Sequence, residues 1–311
     1  MKEKTIRTNI ILGEGEFVEG GNTKVIEGLA TTVTITKAGL PEKNSAEIRI
    51  TGMKMKDMEQ LTFLSFMPGE YRKNHILIEA GTKNERVDII FKGDITAASA
   101  DFSGAPDVVF KIQAITAGWR GLVPDVPMSI NGEADAARLI ERCAFAAGYG
   151  FTNEGVSAVV KNCTFNGSAI QKAQQIAEEI GAELLIDDDT MVLMPYGKPR
   201  GDAVYLAADS GMIGYPSFTN DGITVESFFN PRLRLGGQVR IVSVVPRASG
   251  WWKITKLSHD ISAYTQGRWV SKIDGMYLTD DLNKPAVPPP EKEKKKKSGD
   301  SSARGHGKGK S

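Results

Sequence analysis

Cysteine is nearly absent: Cys143 and Cys163 are the only two in 311 residues. A disulfide framework needs more, and zinc sites need Cys and His at short spacing. Both thiols therefore read as free, core-packing residues of a protein made in a reducing compartment. Histidine is almost as scarce, with only His75, His259 and His306, so metal-ligand and nucleophilic mechanisms have few candidates. No apolar run is long enough to cross a bilayer, and no membrane insertion is expected. The start MKEKTIRTNI is charged and lacks an apolar core, so no secretory signal is expected. An excess of either charge is also missing overall, at net +1. That balance hides two unequal pieces. Residues 283–311 hold nine basic and three acidic residues, net +6; the preceding 282 hold 30 basic and 35 acidic, net −5. An acidic body is poorly matched to duplex DNA, whose binding rests on Lys and Arg against phosphates, so the folded part is not a sequence-specific DNA reader.

What is present is ordinary globular composition, 41% hydrophobic and 25% charged, enough for about two or three domains. Up to residue 122 the chain reads as short strands of period two. In TTVTITKAG, Val33 and Ile35 alternate with threonines, and AEIRITGM, HILIEAG, RVDIIFKGDI and PDVVFKIQA continue the pattern. Turn punctuation falls at Gly20-Gly21-Asn22, Gly39, Pro41, Gly69, Gly81 and Gly93. Lys54 to Leu64 interrupts as a short helix. From 123 to 198 the pattern changes to a small α+β unit. Its first helix is capped near Asn131 and stopped by Gly148. The second is capped by Ser168 and stopped by Gly181, and AELLIDDDTMVLMPYG follows as a hairpin turning at Asp187-Asp188-Asp189. VSAVVKNCTF is a further strand. From 199 to 282 strand patterns return in ITVESFF, VRIVSVV, WWKITKLSHDIS and WVSKIDGMYL. A parity switch in the third of these implies a bulge near Thr255-Lys256. The two β parts either form one body with the middle inserted or two separate barrels. Residues 283–311, rich in Pro, Lys and Gly, are expected to be disordered, either a solubilising extension or a flexible basic arm onto an acidic partner.

No motif reaches the level of an active site, and no catalytic residue, cofactor or metal is assigned. Gly13-Glu14-Gly15-Glu16 lacks a third glycine and a βαβ context, so it reads as a hairpin turn rather than a dinucleotide fingerprint. Asp187, Asp188 and Asp189 do not have EF-hand spacing and read as a charged hairpin tip. Glu141, Glu178, Glu179 and Asp202 could pair for glycoside hydrolysis, but helical spacing puts the first three on polar helix faces. His259 has no nucleophile or orienting acid assigned by sequence.

The C-terminal stretch carries the most information. Asn230-Pro231, Leu235-Gly236-Gly237, Val239 to Ser243, Gly250, Trp252, Ile254, Leu257, His259, Gly267 and Trp269 together resemble the closing strands of baseplate hub proteins of contractile-tailed bacteriophages. Ile90-Phe91-Lys92-Gly93, Asp94-Ile95 and ADFSGAPDVVFKIQA agree with that family, as does the position of the α+β insert. The lysine-rich tail and the doubled Trp251-Trp252 depart from it. The resemblance spans about Thr5 to Leu278. It implies a mainly β fold: two tail-tube-like antiparallel barrel or sandwich domains (1–122 and 199–282) around a small α+β domain (123–198), then the tail (283–311). It also implies a structural role for Gly236, Gly237, Gly250, Trp252, His259 and Trp269. Further implications are a homotrimer adapting a hexameric tail tube to a trimeric spike, with tail-tube, central spike, other baseplate and tape-measure proteins as partners. DNA would pass through without sequence-specific binding, in a virion assembled in the host bacterial cytoplasm. The rival readings place a cell-wall hydrolase, or a carbohydrate- or peptide-binding module, in residues 128–197.

Overall fold

The computed structural model describes residues 3–17, 21–62, 73–83, 85–118, 121–264 and 266–278. The expected turns at Gly20 and Gly69 and the expected disorder of 283–311 lie outside them. In the N-terminal part, alternation in the sequence becomes alternation about a sheet. The strands are β1 (Lys4–Ile11), β2 (Thr23–Glu27), β3 (Ala30–Ala38) and β4 (Ser45–Thr51), then helix α1 (Met55–Leu61), β5 (His75–Thr82), β6 (Val87–Asp101) and β7 (Val109–Ile115). Val33, Ile35, Ile48, Ile50, Phe110 and Ile112 are fully buried on one face, with Met58 and Leu61 of α1 packed into the same core. Each such side chain contributes roughly 1.5–3 kcal/mol by leaving water.

Gly81 and Gly93, expected at turns, instead lie inside β5 and β6. The reason at Gly93 is crowding: a Cβ there would sit 2.8 Å from the Ile115 carbonyl oxygen and 2.8 Å from the Phe91 ring. Glycine inside a strand often marks such a close approach of chains.

The middle segment runs β8 (Pro124–Asp135), α2 (Ala136–Ala146), β9 (Gly150–Asn153), β10 (Val159–Ser168), α3 (Ala169–Glu179), β11 (Ala182–Asp187) and β12 (Thr190–Pro195). β8 and β10 form a two-stranded ribbon, and β11, β12 and β9 a three-stranded sheet. The apolar stripes of α2 and α3 fill one core between them, and buried Cys143 is part of it. Ser168 caps α3 through a reciprocal box with Gln171, as its sequence position predicts. The first helix begins later than expected: Asn131 stays in the ribbon, and Asp135 caps the Ala137 and Arg138 amides.

The C-terminal part adds β13 (Arg200–Ala207), β14 (Met212–Phe218), β15 (Ile223–Phe228), β16 (Gly237–Val242), β17 (Gly250–Ser262) and β18 (Trp269–Leu278). The expected bulge is there: β17 and β18 slip register between Ile254 and Lys256.

The choice between one body and two barrels is settled by β17. It pairs antiparallel with both β18 and β3, from Lys256↔Ala38 to Ser262↔Thr32. Both β parts thereby join one 13-stranded sheet, ordered β14-β15-β18-β17-β3-β4-β7-β6-β5-β1-β2, with β16 and β13 branching from β17. The fold is mainly β around an α+β insert, and its strands form an open sheet instead of closed barrels. A row of buried residues, Ile112, Ile48, Val33 and Ile261, crosses the junction in direct register. On the opposite face Gln113, Glu47, Thr34 and Asp260 form the matching polar row.

Candidate functional site

The β11–β12 hairpin tip is charged, as expected, but Asp187 and Asp188 are largely withdrawn from water, while Asp189 stays exposed. Lys37, at the end of β3 and only 7% exposed, donates from Nζ to Asp187 Oδ1 at 3.3 Å and Asp188 Oδ1 at 3.1 Å. Arg200, which opens β13, donates to Asp187 Oδ2 at 2.5 Å and to the Leu235 carbonyl at 2.8 Å. Lys92 of β6 donates to Asp189 Oδ2 at 3.0 Å. Buried Asn44 donates to the Ile186 carbonyl at 2.7 Å and accepts from the Ala38 amide. Three aspartates of the insert are thus held by cations from both β parts, beside a cleft of about 690 Å³ that reaches His259. For Asp187 and Asp188 the physical reason is desolvation: packing the hairpin between two sheet regions excludes water, and buried carboxylates persist only when paired. Each Asp faces a cation, and no cluster of metal-ligating side chains occurs among the described residues.

Burial works to raise the Asp187 carboxyl, but Lys37 and Arg200 outweigh it and hold it below the usual range. Burial drives Asp188 upward; Lys37 opposes this, and the Asp187 charge adds to the rise. A second clasp joins buried Lys253 of β17 to Glu183 of β11. Burial lowers the Lys253 ammonium, and Glu183 opposes that shift. Lys37, Asn44, Glu183, Arg200 and Lys253 carry no local sequence signal. Their partners are distant in the chain, and only the triple aspartate itself was visible.

The residues singled out from the C-terminal pattern surround this junction. Gly236 has φ 74° and lies against the insert, where a Cβ would sit 2.7 Å from Leu185 Cδ1 and 3.2 Å from Met194 Sδ. Its amide donates to Ile254 O and its carbonyl accepts from the Arg200 amide, both at 2.9 Å. Gly237 closes the turn by donating to Arg234 O at 3.0 Å. Gly236→Ala is expected to destabilise by at least about 1 kcal/mol, because both the left-handed backbone and the space oppose a Cβ. A lower urea midpoint checks this, and an unchanged one would mean that the Leu185–Met194 contact yields freely.

Gly250 opens β17 beside the Tyr277 ring. Trp252 is 4% exposed; its Nε1 donates to the Ala248 carbonyl at 3.0 Å and its ring meets Tyr277 edge-on at 5.3 Å. Trp269 is half-buried, with Phe229 at 5.1 Å and the Lys4 ammonium 5.4 Å from its ring centre. His259 is buried mid-strand, its Nδ1 2.8 Å from Ser271 Oγ, and the Asn230 amide donates to that same hydroxyl at 3.2 Å. Phe229 packs edge-on against the imidazole at 5.3 Å.

Burial, with Lys37 nearby, lowers His259 from 6.5 to about 3. The folded protein holds the ring neutral while the unfolded chain protonates it below pH 6.5. The stability this provides is therefore complete above 6.5 and is lost as pH falls from there toward 3. Urea titrations across that window should show a falling midpoint, and His259→Gln should flatten the slope. An equal slope in both proteins would contradict a neutral buried imidazole.

The carboxylates considered for hydrolysis lie on three different elements. Glu178 and Glu179 are exposed on α3, Glu141 is half-buried on α2, and Asp202 is exposed on β13.

The chain, an open strand-rich sheet with an α+β insert clasped against it, shares its overall fold with solved tail proteins. It superimposes on the tail protein of Neisseria meningitidis MC58 with a TM-score of 0.61 at 10% identity, covering 87% of this chain and 96% of that one. The 43 kDa tail protein of prophage MuSo2 from Shewanella oneidensis gives 0.57 at 9% identity, covering 89% and 97%. The E. coli c3393 protein gives 0.54 at 8% identity, covering 84% and 77%. It is described as a type VI secretion component similar in structure to the T4 tail proteins gp27 and gp5. At such identities the likeness is one of fold. A search of curated proteins finds no match. The sequence does match the family model Baseplate hub gp41 over residues 9–271. The chain belongs to that baseplate hub family, as its C-terminal strand pattern implied.

Proposed function

We propose that this chain is the structural hub subunit of a contractile phage tail, a homotrimer that adapts a sixfold tail tube to a threefold spike. The observation that carries the reading is the fusion of two β parts into one sheet through the β17–β3 pairing. Three copies then offer six β units, and symmetry matching of this kind rests on buried area instead of chemistry. In this reading the units span 1–122, 123–198 and 199–282, with 283–311 as a basic tail. Gly236, Gly237, Gly250, Trp252, His259 and Trp269 act as structural supports of the closing strands, and no reaction is assigned.

Among the described residues, the outer strands β2 and β14 each have one pairing neighbour. Unpaired strand edges are ready-made pairing surfaces for another chain, which supports contacts between neighbouring copies. The polar face around Thr34, Glu47, Gln113 and Asp260 suits a water-filled passage. Its charges are mixed and paired, Arg49 with Glu47 and Arg268 with Asp260, so it offers no basic stripe to hold DNA in transit. Tail-tube, spike, other baseplate and tape-measure proteins are its partners.

A phage lacking this gene, grown with and without the protein supplied in trans, tests the role. Baseplates joined to tails should form only when it is supplied. Normal tails in its absence would overturn the reading.

A further inference from the structure

A groove of about 620 Å³ lies in the insert between the start of β8 and the C-terminal half of α2. Its walls mix apolar Val126, Met128 and Ile130 with polar Asp125 and Ser129 from β8, facing Arg142 and Phe145 from α2. Val126 is 77% exposed and Phe145 61%, and Leu122 and Val123, just before β8, are exposed as well. Large apolar side chains concentrated at one place on a surface mark interaction sites more often than isolated ones do. Main-chain pairing is poorly served here. Pro124 and Pro127 have no N–H, and the Val126 carbonyl already accepts from Lys172 Nζ at 2.9 Å, whose charge is met by Asp125. Recognition would therefore run through side chains.

Charge narrows the occupant. Residues 123–198 contain eleven acidic and five basic residues, yet α2 turns Arg138 and Arg142 outward, one helical turn apart. Both are exposed and neither has an ion-pair partner among the described residues. Phe145 follows three residues later on the same side. Arg142 thus stands at the groove and Arg138 one turn beyond it, both without an ion-pair partner among the described residues, while the carboxylate in the lining, Asp125, is already met by Lys172.

We infer that this groove docks an acidic segment with an apolar anchor, supplied by another protein of the tail. The anchor would lie between Val126 and Phe145 and the carboxylates would meet Arg138 and Arg142. Such charges set partner choice more than raw affinity. The chain's own stretch 283–311, at net +6, has the wrong charge to be the occupant. The inference rests on membership in a baseplate hub family and is independent of the trimer reading.

The test places the photo-crosslinking residue p-benzoylphenylalanine at position 145 of the full-length protein, which keeps an aromatic anchor, and irradiates assembled tails. Mass spectrometry should locate the product on a different protein, within a few residues of Asp or Glu. Arg138→Glu with Arg142→Glu should lower its yield about tenfold or more while leaving the thermal melt of the purified hub unchanged. If that pair blocks assembly, Arg138→Gln with Arg142→Gln and a salt series on the unaltered arginines give the same comparison, since exposed ion pairs weaken with ionic strength. A product on a second hub copy, a product on a segment without acids, no product, or a yield insensitive to charge and salt would each overturn the inference.

Discussion

Trp252→Ala is expected to lose about 3–5 kcal/mol of folding stability, the range for truncating a large buried aromatic. Three separate losses combine. The indole lies in the core with Val239, Ile254 and Ile273, so its removal leaves a cavity. The Ala248 carbonyl loses its donor at 3.0 Å. The edge-on contact with Tyr277 disappears, a pairing of the kind worth about 0.5–1.5 kcal/mol beyond area. Trp252→Phe keeps most of the volume but not the donor, so its cost should be clearly smaller. Urea denaturation of the three proteins checks the order. A wild-type midpoint for the alanine variant would mean that the ring is not part of the core.

Lys37→Ala is expected to be comparably severe, at about 3–5 kcal/mol, because removing one member of a buried ion cluster strands the others. Lys37 serves Asp187 and Asp188 together. Without it Arg200 still faces Asp187, but Asp188 is left buried beside another carboxylate. The two aspartates should then separate by sign. Asp187 is held below its ordinary value, so its ion pairs stabilise fully above the unfolded value near 3.8 and fade as pH falls through the lower folded value. Asp188 is pushed above its ordinary value, so its charge opposes folding at neutral pH, and that cost vanishes as pH drops through the raised value. Asp187→Asn should therefore destabilise at pH 7 clearly more than Asp188→Asn. Equal losses would contradict this division of roles.

Much of the fold is written locally. Period-two alternation in TTVTITKA and AEIRIT reports which side of β3 and β4 faces the core. The capping box at Ser168 reports where α3 begins, because these signals depend on near neighbours in the chain. Strand pairing across the junction is different: nothing near Ser258 announces that its partner is Thr36, 222 residues earlier. β13 and β14 lacked a clean alternation and were missed for a related reason, since β13 pairs parallel with β16 and β14 slips register against β15. The ion cluster is the clearest case. Asp187-Asp188-Asp189 read only as a charged tip because their cations, Lys37, Lys92 and Arg200, come from three other strands. The family pattern near the C-terminus was legible because Gly236, Trp252, His259 and Trp269 cluster in one stretch whose spacing reflects a shared set of turns and pairings.

The most direct test of the hub reading is native mass spectrometry of the purified protein mixed with the central spike of the same phage. Three copies of this chain on one spike trimer are expected. One or two copies per spike, or six, would contradict the adaptor account, because six β units would then not be presented to the tube.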